Sequence, residues 1–268
     1  MNRIFIFILS TIILAQPPTP QALAELKRNA IQAKKMRLNI DQFEKELRQG
    51  HTLEQNGMTK DAEQIYKNIL SNDPGYTRAF TKLRKLLKNQ NRFDELIPIV
   101  DNYVNSRPKD SGVLIDQMEI YIWAENVNWI NFAEIILNVN LKNTNTLKSL
   151  MGKIISNGFL DEAQSYIEII RSKTKQPDFY ASELGSYFRT RMAFDKSLEN
   201  FLLLLEFNPK NYQMVSSRIM SFPSDKSVVD RLREILNNSQ VKSAKLLLSD
   251  LEFRAGNFTI AYNLLKIH

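Results

Sequence analysis

The chain has 268 residues, 43% of them hydrophobic and 24% charged, with a formal net charge of +7 and a pI near 9.4. It contains no Cys, which excludes disulfides, thiolate nucleophiles, cysteine-held metal or iron–sulfur sites and a lipid-attachment cysteine. Its two His, His51 and His268, lie far apart and have no partner at ligand spacing, so neither a metal site nor a cofactor is expected.

Met1 to Ala15 reads MNRIFIFILSTIILA: Arg3, then about a dozen mostly apolar residues. That run is shorter than the roughly 18–20 residues a spanning helix needs and fits a secretory signal segment. Cleavage after Ala15, or at Gln21-Ala22-Leu23-Ala24, places the protein in the periplasm or outside the cell. The alternative is an uncleaved anchor in the inner membrane, the only route by which this chain would meet a membrane. Residues 16–42 read as a Pro-rich spacer followed by an Ala-, Leu- and Lys-rich helix carrying Lys27, Arg28, Lys34, Lys35 and Arg37.

From residue 43 a repeat governs the chain. Gly57 leads into Ala62, Tyr66, Ile69 and Pro74: a turn glycine, then a small residue, an aromatic four later, an apolar residue three later and a closing proline. Units begin near 43, 77, 111, 144, 178, 212 and 242, with steps of 34, 34, 33, 34, 34 and 30 residues. Phe80, Leu83, Leu87 and Pro108 continue the frame, as do Gly158, Leu160 and Ala163. The fifth unit carries Leu184, Gly185, Phe188, Phe201, Leu204 and Pro209, and the seventh Gly256, Phe258 and Ala261. Three units depart from it. The third has Trp123, Trp129 and Phe132 in place of the turn glycine and small residue, which predicts a rearranged or shifted hairpin. The second places Pro98 inside its second helix, which predicts a kink. In the sixth, Phe222-Pro223-Ser224 ends the first helix early.

This pattern resembles the tetratricopeptide repeat, a 34-residue helical hairpin, over residues 43–268. The resemblance implies an all-α, right-handed superhelical solenoid of about seven hairpins, the last reading as incomplete because His268 stops it partway. Each hairpin is too small to bury its apolar stripe alone, so stacked neighbours supply the core.

The resemblance also implies a function. In the family the first helix of each unit lines a groove that holds a peptide or partner protein. Carried over, the lining is Arg78, Thr81, Lys85, Lys88 and Asn89 in the second unit, Ile115, Glu119, Ile122 and Trp123 in the third, Asn145, Lys148 and Ser156 in the fourth, and Phe179, Ser182, Ser186 and Arg189 in the fifth. The basic stretch from Arg78 to Lys88 would steer an acidic partner, and Trp123 and Phe179 are anchor types. No unit carries the Lys–Asn carboxylate clamp of the chaperone-tail subfamily at the fifth and ninth positions; Thr81/Lys85 and Lys148/Gly152 stand there, for example. Paired acids such as Asp61 and Glu63, or Asp161 and Glu162, fall at predicted helix starts, where the helix dipole favours them. No phosphate-cradling loop or nucleophile elbow occurs. One basic helix is too little for a nucleic-acid surface. The sequence therefore reads as a non-catalytic interaction scaffold of the bacterial envelope, with a membrane-tethered adaptor, or the repeat region of a larger protein, as alternatives.

Overall fold

The computed structural model describes residues 41–266 together with Arg28 and Asn39. The expected signal segment, nearly all of the spacer and basic helix, and His268 lie outside the described residues. The described residues are helical, with no strand among them. The helices are α1 (41–55), α2 (Thr59–Asn72), α3 (Thr77–Asn89), α4 (Phe93–Ser106), α5 (Ser111–Trp123), α6 (Trp129–Val139), α7 (Thr144–Ser156), α8 (Leu160–Thr174), α9 (Ala181–Thr190), α10 (Phe194–Phe207), α11 (Tyr212–Met220), α12 (Lys226–Asn238), α13 (Ala244–Arg254) and α14 (Phe258–Lys266). Among the described residues they fall in chain order into seven successive pairs; six pack as hairpins, while in the sixth α12 packs on α10 and α13 rather than on α11. The chain divides into two compact units at Ser106 and Arg107, so α1–α4 belong to the first and α5–α14 to the second.

Amphipathic spacing makes the helices. In α3 the buried residues are Ala79, Phe80, Leu83, Leu86 and Leu87, while Arg78, Thr81, Lys85 and Lys88 face outward. That three-and-four spacing is one stripe of an α-helix. Helix α5 differs: Val113, Ile115, Gln117, Met118, Glu119, Ile120, Tyr121 and Ile122 are all buried, so it is enclosed on nearly every side.

One turn closes six of the seven hairpins. Gly57 N–H donates to Glu54 O and Met58 N–H to Leu53 O; Gly158 and Phe159, and Gly256 and Asn257, repeat the pair of bonds. These are Schellman caps, which need a left-handed residue. Gly57, Gly158 and Gly256 supply it at φ +80°, +96° and +81°, but Asn91, Glu125 and Met192 supply it without glycine, at 56°, 53° and 59°. In five hairpins the next helix starts two residues after the left-handed residue. A buried residue follows at the fifth position: Ala62, Leu96, Ala163, Ser197 or Ala261.

The third hairpin shows the shift its sequence foretold. Helix α6 starts four residues after Glu125 and buries Ala133, eight residues on, so an extra near-turn displaces the helix by three positions. Pro98 sits inside α4, which runs unbroken from Phe93 to Ser106. The missing N–H falls early in the helix, at its sixth position, where one absent bond leaves the later turns in place. The sixth hairpin lacks the Schellman turn; α11 ends at Met220 and Ser221 and Phe222 close onto Arg218 and Ile219.

Within a hairpin, small residues let the helices approach. Gly50 faces the Tyr66 ring and Gly185 faces the Phe201 ring; both rings are fully buried. Ser197 hydroxyl donates to Gly185 O at 2.7 Å, and Ser249 hydroxyl donates to Ala261 O at 2.9 Å, so the same two positions are tied with the donor on opposite helices.

Candidate functional site: the wall of first helices

In the second unit the first helices α5, α7, α9, α11 and α13 are joined side by side by polar pairs about one repeat apart. Glu119, 4% exposed, receives both oxygens' bonds from Lys153 at 3.0 Å, and the Trp123 indole donates to Asn157 at 2.9 Å, linking α5 to α7. Lys148 reaches Glu183 at 2.7 Å, linking α7 to α9. Arg218 donates to Ser186 at 2.5 Å and Arg189 to Ser221 at 3.3 Å, linking α9 and α11. Asp250 on α13 accepts from Tyr212 and Ser216 hydroxyls on α11, each at 2.6 Å. Arg254 donates to the carbonyls of Met220 and Phe222, which end α11 and begin the loop. Burial pushes this guanidinium down from its ordinary pKa and the Tyr212 hydroxyl up from its own.

The first unit uses the same device. Glu44 on α1 holds Arg78 and accepts from the Tyr76 hydroxyl at 2.5 Å, and both donors keep its carboxyl below the ordinary range. Lys82 on α3 approaches His51 at 3.0 Å and Glu54 at 3.7 Å. Behind, Arg92 grips Glu63 on α2 with two bonds, at 2.6 and 2.9 Å, and Glu95 with two more, at 2.6 and 2.7 Å. The guanidinium, with Lys67 beside it, holds Glu63 at a pKa of about 2.

The candidate lining residues divide into three groups. Thr81, Lys85, Lys88 and Asn89 are exposed along α3, as is Arg78 beside its glutamate. Trp123, Lys148 and Arg189 lie on the first helices of the second unit and are half-buried by the pairs just described. Ile115, Ile122 and Phe179, expected in the lining, are instead packed into the core, 4%, 8% and 4% exposed. Ile122 belongs to the enclosed helix α5. Phe179 is not on a first helix: left-handed Tyr180 stands before Ala181, so α9 begins after it, and its carbonyl accepts from Arg171 at 3.1 Å. Of the bridging residues Glu119 was in the expected lining; Lys153, Asn157, Glu183 and Asp250 were not. Their signal is a complementary polar residue about 34 positions away.

The acidic residues expected at helix starts stand there: Asp61 in α2, Asp94 and Glu95 in α4, Asp161 and Glu162 in α8. No group of three His, Asp or Glu among the described residues could hold a metal ion. No helix among them is long and apolar enough to cross a membrane.

Hairpins with this turn, spacing and small-to-aromatic packing make an all-α helical repeat that resembles the tetratricopeptide repeat in fold. No family model matches the chain, and no curated protein matches it. Among solved structures it is similar to a tetratricopeptide repeat protein from Parabacteroides merdae, at 13% identity and a TM-score of 0.40, covering 84% of this chain and 91% of that one.

Proposed function

We propose that the chain is a non-catalytic scaffold of the bacterial envelope, periplasmic or secreted, that holds a peptide or protein partner against its first helices. The observation that supports this reading is the laced wall itself. Pairs such as Lys148–Glu183 and Trp123–Asn157 fix the spacing of successive first helices. A wall whose side chains are already ordered loses less entropy on binding than a loose one. The exposed basic stretch of α3 favours an acidic partner.

The test is capture from a bacterial envelope extract with the full chain as bait. A specific partner is retained, and replacing Lys148 and Arg189 by glutamate releases it without changing the circular dichroism. Equal retention by both forms, or none by either, contradicts the reading. Mass spectrometry of the mature amino terminus separates the exported form from a tether: a chain starting at Gln16 or Glu25 is cleaved, one starting at Met1 is held.

A further inference from the structure

Between the second helices α10 and α12 lies an open groove of about 430 Å³. Its floor is apolar, with Leu203 from α10, Ile235 from α12 and Val241 from the loop beyond. Three carboxylates stand around that floor: Glu199 and Glu206 on α10 and Glu234 on α12. Glu199, Leu203 and Glu206 follow one another at four and three residues, so they form one stripe of α10.

These acids differ from those that tie neighbouring helices together. Glu44, Glu63, Glu95, Glu119, Glu183 and Glu252 are each bound to a cation. Glu199, Glu206 and Glu234 have no ion pair or side-chain hydrogen bond among the described residues. Where α10 and α12 need a charged tie they have one elsewhere, Arg231 to Asp195. The three glutamates do not converge as metal ligands. They ring an apolar strip instead, and no cation lines it.

From this arrangement we infer that the α10–α12 groove is a docking site for a basic amphipathic segment of a partner protein, with Leu-type residues on the floor and Lys or Arg beside the three glutamates. The chain carries a net charge of +7 overall, so what draws a cation to this place is the local excess of carboxylates. The apolar floor selects against a cation without hydrophobic surface. This site lies on the second helices and stands independently of the first-helix reading.

The probe is a fluorescein-labelled helical peptide of about five turns, leucine on one face and lysine on its flanks. The full chain binds it, and the version with glutamate for lysine does not bind. Glu199→Gln, Glu206→Gln and Glu234→Gln together weaken binding roughly tenfold or more, and Leu203→Asn does so alone. The matched exchange at Glu134, Glu162 and Glu168 on α6 and α8 changes nothing. Thermal melts confirm that each variant is folded. Absence of binding overturns the proposal, as does undiminished affinity in the triple variant. Full displacement by spermidine with no effect of Leu203→Asn overturns it too, because charge alone would then account for the site.

Discussion

Two residues carry testable consequences at the finest scale. A Cβ added at Gly185 would lie 2.6 Å from the Phe201 ring, closer than packed atoms sit, and the buried ring has nowhere to move. Gly185→Ala gains helix propensity of about 1 kcal/mol but overpacks the hairpin by roughly 1–3 kcal/mol. Net destabilisation is the expected result in urea titration, and a stabilised variant would contradict the packing. Glu63 makes a second case, this one in pH. Its carboxyl is held at about 2, against an ordinary 4.5. A depressed folded pKa contributes stability above the unfolded value and loses it as pH falls through the folded one. The contribution is therefore complete above about pH 5 and disappears between about 4.5 and 2. With Arg92 a third exposed, about 1–2 kcal/mol is at stake. Urea midpoints of the native protein fall across that window; those of Glu63→Gln change less.

The turn is the element that sets the hairpin. Gly57, Gly158 and Gly256 were legible as turns in the sequence because glycine takes a left-handed conformation without steric cost. Glu125 and Met192 were not, since nothing in their side chains announces that conformation; Asn91 gave only a weak signal, because asparagine tolerates the left-handed region without requiring it. Met192 is 78% exposed and packs little, so glycine there loses little contact and removes a left-handed cost of about 1 kcal/mol. Met192→Gly is expected to raise the melting temperature by a few degrees; a lower one would mean that the turn is held by Met192 itself. The irregular third hairpin was legible as an irregularity. Its form, three extra positions before Ala133, was not, because the buried faces of α5 leave no polar stripe for a pattern to show. Of the expected site, the exposed α3 residues could be read from periodicity. The pairing of Lys148 and Trp123 could not, because residue type does not say whether a side chain is engaged with the next helix. Phe179 misled for a local reason: left-handed Tyr180 delays α9 beyond it.

At the scale of the molecule, first helices stand side by side one repeat apart within each compact unit. The second unit states this most sharply at Ser216 and Asp250, which are 34 residues apart and 2.6 Å apart through Oγ and Oδ2. The chain has no native cysteine to compete, so Ser216→Cys with Asp250→Cys can be linked by a short bis-maleimide and read by mass spectrometry of the digest. The account predicts near-complete linkage within one chain, and little for Ser216→Cys with Glu234→Cys, whose second residue faces outward on α12. Equal linkage of the two pairs, or none at 216 and 250, would contradict it.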